Sequence, residues 1–468
     1  MTSSSLSFHP VAPLSTTGRY LVLVCAFLGW LFAGMHMSIT QLAGQSAAVD
    51  LLARSGRLDV ERYRVLGKQF PEQKPGTTPK SEKPELSADE TQLSHWRALI
   101  AQWFAWYQCA FLFGAASGGL VFGRLGDRIG RAKAMSVSIV TYSTMAGAAY
   151  FSTSPEHLLV CWFLACTGVG GMWPNGVALV SEAWSGMSRP MVAGVIGTSA
   201  NIGIFLFSTV ATQVKITPDS WRWVMLAGAG PLVLGVFSLI AVPESPRWLA
   251  ARRRQSVGQD APVSHGDIFR PPLLAVTLVG ILLATIPIIG GWSTANWMVP
   301  WAENAGAAAN PPNPFLKAQV NQARALTGMV GSLLGGWIAT VVGRRLTYAL
   351  VSAVCLFIAQ YTFWFKVPTD WDFLFWVAGL GFFSGIYFGW LPLFLPELFP
   401  TRVRSTGAGV SFNFGRILTA ITVFAASMLM EYFQGDYARI GRMTSLFFAL
   451  GIVAVFLAPD TSRKELED

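Results

Sequence analysis

RLGDRIGR, Arg124 to Arg131, stands between two runs of mostly apolar residues, 98–122 and 134–152. Each run is close to the ~20 residues with which an α-helix crosses a bilayer. The segment between them is short, basic and glycine-containing, which suits a connection where two helix ends approach closely. The pattern returns after a later apolar run as WIATVVGRR, Trp337 to Arg345. Gly123 then matches Gly336, Gly130 matches Gly343 and Arg131 matches Arg344, each 213 residues apart. Two further pairs of segments repeat. EAWSGMSRPMVAG (182–194) and ELFPTRVRSTGAG (397–409) align Glu182 with Glu397, Arg189 with Arg404 and Gly194 with Gly409 at a separation of 215. PESPRWL, from Pro243, and PDTSRKELED, from Pro459, stand 216 apart. Three matches at nearly one offset imply a duplicated chain.

Twelve apolar runs carry the duplication: roughly 20–43, 98–122, 134–152, 156–182, 189–213, 222–242, 272–296, 317–342, 346–366, 372–395, 405–430 and 441–458. Lipid offers open backbone no hydrogen-bond partner, so this many spans of this length are helices. The expected fold is an all-α polytopic membrane protein, twelve transmembrane helices in two six-helix bundles. Its divisions are a cytoplasmic tail (1–18), a first bundle (19–242) with a long extracytoplasmic loop (44–97), a cytoplasmic linker (243–271), a second bundle (272–458) and a cytoplasmic tail (459–468). Parallel repeats are the architecture of secondary transporters whose halves rock around a midplane site.

Composition agrees. Of 468 residues, 52% are hydrophobic and 13% charged, against about 25% charged in soluble domains. The net charge of +9 sits in short alternating loops, which argues for membrane topology and against nucleic acid. With the long loop set aside, the positive-inside rule puts both ends in the cytoplasm; counting that loop nearly erases the bias. The five cysteines, Cys25, Cys109, Cys161, Cys166 and Cys355, fall inside spans without metal-ligand spacing. With no metal cluster, nucleophile motif or embedded acid pair, neither enzyme, cofactor nor metal site is expected. The first span reads as an uncleaved signal. In the long loop, Ser46 to Phe70 suits an amphipathic surface helix, and PEQKPGTTPKSEKPEL a flexible segment.

GRLGDRIGRA, with its weaker second copy, resembles the loop signature between helices 2 and 3 of major facilitator superfamily transporters. PESPRWL and PELFPTRVRSTGAG resemble the branch that contains sugar porters, organic cation and anion transporters, and aromatic-acid/proton symporters. The resemblance covers the whole chain and implies that these loops are cytoplasmic, as in a bacterial inner membrane. It further implies that Asp127, Arg128, Arg131, Glu182, Arg189, Glu244, Arg247, Glu397 and Arg404 form a cytoplasmic gate network. Two positions depart from the pattern: Thr340 stands where a second-half acid is possible, and Trp162 where relatives often carry arginine.

Polar and aromatic residues inside spans are the candidates for a midplane site. They are Trp103, Trp106 and Tyr107 on helix 2, Trp173 and Asn175 on helix 4, and Asn201 on helix 5. In the second half they are Trp292, Asn296 and Trp297 on helix 7, Tyr387 and Trp390 on helix 10, and Phe412 and Asn413 on helix 11. Arg416 is the sharpest. It lies twelve residues past Arg404, about 18 Å along a helix, where a charge costs at least about 2.5 kcal/mol. Deep in the spans stands no Asp or Glu to pair with it. In organic-anion transporters and aromatic-acid symporters an arginine follows PT-x-x-R at this spacing, and in cation-transporting relatives an acid does. The resemblance thus implies that Arg416 selects anions. His36 is the deep group that titrates near neutral pH, and so the candidate proton carrier.

These readings converge on a monomeric secondary transporter of a small organic anion, such as an aromatic or other monocarboxylate, with protons as a possible coupling ion. A sugar or polyol transporter is the alternative, because sugars stack on aromatic faces and bond to amides. A sensor or scaffold on the same fold is the rival of another class.

Overall fold

The computed structural model describes residues 14–69, 87–184, 189–214, 216–256, 266–311, 313, 316–433 and 436–461, with some side chains inside helices left out. The first half holds α1 (Thr16–Arg54), α2 (Val60–Gln69), α3 (Ala88–Ile129), α4 (Arg131–Ala149), α5 (Pro155–Ala183), α6 (Arg189–Gln213), α7 (Arg222–Ala229) and α8 (Leu232–Ala241). A connecting helix, α9 (Pro246–Ser256), follows. The second half holds α10 (Leu273–Ala308), α11 (Leu316–Val341), α12 (Arg344–Phe365), α13 (Phe373–Leu398), α14 (Arg404–Tyr432), α15 (Tyr437–Ser445) and α16 (Phe447–Ala454).

Twelve spans result once two breaks are counted. The sixth span is α7 and α8, interrupted at Gly230-Pro231, where proline has no N–H to continue the ladder. The twelfth is α15 and α16, interrupted at Leu446. Among the described residues nine helical stretches are long and apolar enough to cross a membrane. The more polar spans α4, α11 and α14 sit among them. Gly130 and Gly343, matched in the repeat, adopt φ of +114° and +97°. This left-handed turn, which L side chains avoid, starts the helix after each copy of the loop.

The long loop departs from expectation. Ser46 to Arg54 continues α1, which breaks at Gly56 (φ +72°), and only Val60–Gln69 forms a separate helix. Ser87 then starts α3 with a capping box, its hydroxyl accepting from Glu90 N while the Glu90 carboxylate accepts from Ser87 N. The Pro- and Lys-rich stretch, 71–86, lies outside the described residues. Arg57 pairs with Glu156 at 2.6 Å, Arg62 with Asp89 at 2.7 Å and Arg64 with Asp219 at 2.8 Å. All four partners of this hairpin, Trp103 under Arg57 included, belong to the first half.

The halves meet along two seams, α3 on α14 and α6 on α11. Both are backbone-close. A Cβ on Gly409 would stand 2.3 Å from the Gly119 carbonyl oxygen, and one on Gly336 2.1 Å from that of Pro190. Only glycine permits this approach. The seams are related by the repeat, since Gly194 and Gly409, and Gly123 and Gly336, are matched pairs. We call the end that carries the repeated loops the motif end.

Candidate functional site

Midway along α14 the Arg416 side chain is 6% exposed. Its guanidinium lies 5.4 Å from the ring centroid of Phe111 on α3 and 5.4 Å from that of Phe412, one turn back on its own helix. Nη1 is buried without a hydrogen-bond partner, and no carboxylate pairs with Arg416 among the described residues. Two cation–π contacts contribute roughly 0.5–2 kcal/mol each. An orphaned charged donor costs about 1–3 kcal/mol or more, on top of the membrane penalty, so the aromatic faces alone leave the charge under-compensated.

Phe412 also closes the path beneath. Its ring stacks on Trp173 of α5 at 3.9 Å and 11°. Trp30 of α1 stands against both, at 6.3 Å from Phe412 and 6.4 Å from Trp173. Asn413 donates to the Gly170 carbonyl at 3.3 Å and to the Gly409 carbonyl at 3.0 Å, with its Oδ1 unpartnered. Helix α3 of the first half thus meets α14 at Arg416, and α1 and α5 meet it one turn away at Phe412, which gives the arginine an aromatic floor on the motif side.

Other expected pocket residues pack into their own half. Tyr107 bonds to the Pro155 carbonyl at 3.4 Å. Asn175 donates to the Phe122 and Gly171 carbonyls at 2.9 and 2.8 Å. Tyr387 shares a 2.6 Å hydrogen bond with Ser352, and Trp390 donates to the Arg344 carbonyl at 3.0 Å. Trp297 leans on Tyr437 at 6.3 Å. Trp103 lies under Arg57 of the outer hairpin, and Trp106 is 43% exposed. Asn201 lies on a seam, donating to Ser332 of α11 at 3.3 Å. The side chains of Trp292 and Asn296 fall outside the described residues.

His36 is fully buried. Its Nδ1 donates to the Phe32 carbonyl at 2.8 Å, and its ring stacks on Trp162 at 6.1 Å and leans on Tyr142 at 4.7 Å. Trp162 itself donates to Thr40 at 2.9 Å. These neighbours all belong to the first half, so the ring sits inside one bundle and away from the seams.

At the motif end the charges assemble. Asp127 accepts from Ser405 N at 3.2 Å, from Thr406 N at 2.8 Å and from the Thr406 hydroxyl at 2.5 Å. A first-half carboxylate therefore caps the N-terminus of second-half α14, whose first amides have no intrahelical partner. Arg131, fully buried, pairs with Asp127 at 3.0 Å, stands 3.6 Å from Glu182 and donates to the Thr401 carbonyl across the seam. Glu182 pairs with Arg404 at 2.8 Å and accepts from Ser245. Glu244 caps α4, accepting from Arg131 N at 2.8 Å and Ala132 N at 3.2 Å. Arg247 is half-buried on α9, Arg128 is exposed, and the Arg189 side chain falls outside the described residues.

The second half repeats the arrangement without the cap. Arg344 donates to the Ala339 carbonyl at 2.8 Å, as Arg131 donates to that of Gly126 at 3.0 Å. It pairs with Glu397 at 3.3 Å, and Glu397 accepts from Thr461 as Glu182 does from Ser245. Thr340, in the place of Asp127, accepts from Arg344 at 3.1 Å within its own half. The cross-half cap exists on one seam.

The family model of the Major Facilitator Superfamily matches residues 84–423. The chain belongs to this superfamily. Its fold superposes on a crystal structure of a double-tryptophan variant of XylE with a TM-score of 0.66 at 15% identity, over 96% of this chain and 98% of that one. A cis,cis-muconate transport protein of Acinetobacter baylyi is 25% identical over 74% of this chain and 83% of its own. The sialic acid transporter NanX of Escherichia coli is 23% identical over 70% and 77%. The protein is a multi-pass membrane transporter, not an enzyme. In this superfamily member, sequence reasoning missed Trp30, Phe111 and Arg324. The first two lie on helices far from Arg416 in sequence, and Phe111 carries no polar atom to mark it out; Arg324 is a charge well inside the eighth span.

Proposed function

We propose that the protein moves a small organic anion across the bacterial inner membrane by alternating access, with Arg416 as the group that binds the anion. The observation that carries this reading is the buried guanidinium with an orphaned Nη1 and no carboxylate among the described residues. A substrate carboxylate supplies what is missing, through a two-pronged, charge-assisted grip. The flat walls of Phe111, Trp173, Phe412 and Trp30 suit a planar or aromatic acid. The named substrates of two relatives, muconate and sialic acid, are acids, which supports the same class. The motif end is placed in the cytoplasm, where Asp127, Arg131, Glu182 and Arg404 hold it shut while substrate enters from the other side. His36 is assigned packing, and the coupling ion is left to another group.

The test is thermal stability of the purified protein with benzoate or with xylose. A ligand at a hundred times its Kd stabilises by about 2.7 kcal/mol. Benzoate is expected to raise Tm and xylose to leave it. Arg416→Ala loses the benzoate shift, because removing one partner of a desolvated pair costs roughly 2–5 kcal/mol. Arg416→Lys keeps a weakened shift. A folded Arg416→Ala protein that responds to benzoate as wild type sinks the reading, and a shift with xylose alone replaces it with sugar transport.

A further inference from the structure

A second arginine shares Arg416's predicament. Arg324, on α11, is half-buried, and its Nε is buried without a hydrogen-bond partner. No ion pair holds it among the described residues. Its helix is packed tightly at this level: a Cβ on Gly381 of α13 would stand 2.5 Å from the Arg324 carbonyl oxygen, and Thr327 donates to the Ala378 carbonyl at 2.7 Å. The lipid-facing side of α11 is marked by Leu326, Val330 and Trp337, which are 56%, 48% and 58% exposed. Arg324 lies away from that side, toward α13.

The repeat fixes its depth. Arg324 matches Phe111 at the separation of 213, and Phe111 is the ring on which the Arg416 guanidinium rests. Gly123 meets Ser405 at one seam and its match Gly336 meets Pro190 at the other. From those matched contacts Arg324 rises twelve residues and Arg416 eleven, about 18 and 16.5 Å at 1.5 Å per residue. The two arginines therefore sit at one level of the molecule. Both belong to the second half, on α11 and α14, and α13 packs against both helices. Their spacing is set within one bundle and is kept when the halves rock.

We propose that Arg324 is a second anion-binding group, which makes the favoured substrate a dianion: one carboxylate on Arg416 and the second on Arg324. The proposal rests on the reading of Arg416 above and narrows its substrate from a small organic anion to a dicarboxylate. A monoanion leaves one guanidinium uncompensated in a medium where unpaired charge is costly. A dianion neutralises both. Because one rigid half carries both contacts, the ligand is held at both ends through the transport cycle, and release needs no change in their separation.

The test compares adipate with hexanoate, chains of equal length with two carboxylates and one, by calorimetry on the full-length protein. Wild type is expected to favour adipate by about ten- to a hundred-fold, as one more charge-assisted contact provides. Arg324→Gln is expected to abolish that preference while leaving hexanoate affinity within about twofold. Arg324→Lys, which keeps the charge, restores part of it. Arg416→Gln weakens both acids. The proposal is overturned if wild type does not prefer adipate, or if Arg324→Gln keeps the preference or weakens both acids equally. If instead Arg416→Gln binds both acids as wild type does, the reading of Arg416 fails. If Arg324→Gln does not fold, Arg324→Met is the neutral variant measured in its place, and a preference for adipate that persists in it overturns the proposal.

Discussion

A buried cation and a buried imidazole pose different questions at the scale of one residue. Arg416 is orphaned at a place where two halves converge, and on the proposed reading its charge is compensated when an anion arrives. His36 is enclosed by Phe32, Tyr142, Trp162 and Gly228, all of one bundle. A group that carries a proton between two sides has to meet each side in turn, and we propose that this ring, enclosed by one bundle, does not. His36→Gln is therefore expected to retain the wild-type pH profile of uptake; an apparent pKa that moves or vanishes in this variant returns the ring to the mechanism. Arg416 was legible in the sequence because depth follows from counting residues along a helix, and the lack of deep acids from inspection. That Tyr107, Asn175, Tyr387 and Trp390 bond within their own halves was not legible. A span that is apolar all round carries no polar face to say which way a given aromatic points.

Single helices carry the proposed gate. α14 begins where Ser405 and Thr406 offer free amides, and Asp127 from α3 accepts both. Asp127→Asn keeps the shape, loses the charge that favours a helix N-terminus, and leaves Arg131 short of a partner. The cap is a cross-half contact, so its loss weakens the closed motif end by about 1–2 kcal/mol on capping grounds. Uptake is expected to slow several-fold with ligand affinity spared. Wild-type uptake in a folded Asp127→Asn protein removes the cap from the cycle. The charge set of this network was visible in the repeated loops, as was the departure at Thr340. What each charge touches was not: Ser245, Thr401 and Thr406 are unremarkable in sequence, yet Ser245 bonds to Glu182, and Thr401 and Thr406 bond to Arg131 and Asp127 across the halves.

Across the whole molecule the duplication is kept in backbone and broken in charge. Matched glycines bring both seams to near contact, while Asp127 and its match Thr340 differ, so one seam is tied by a cap and the other by Asn201–Ser332 and the Thr198 hydroxyl on the Met329 carbonyl. The ion pair Glu182–Arg404 spans the halves at 2.8 Å with both side chains fully buried. Breaking a buried pair by removing one partner costs about 3–5 kcal/mol, and each 1.4 kcal/mol changes a population ratio about tenfold. In Glu182→Gln this cost falls on the closed motif end. Spin labels placed on either side of that end are expected to show a longer distance population than in wild type, and an unchanged distribution counts against the pair as a latch. The loop motifs made the two-half architecture legible because repeats compare a chain with itself. The length of α1 and the hairpin after it escaped, since a helix that leaves the membrane has no apolar limit to mark its end.

That hairpin has a practical consequence. Arg57, Arg62 and Arg64 fasten it to Glu156, Asp89 and Asp219, so α2 travels with the first bundle as a raised landmark on an otherwise lipid-wrapped body. An antibody fragment raised against Val60–Gln69 would add rigid mass to one half only. In electron microscopy of so small a particle, it would supply both an alignment marker and a pointer from which the tilt of the second half could be read directly.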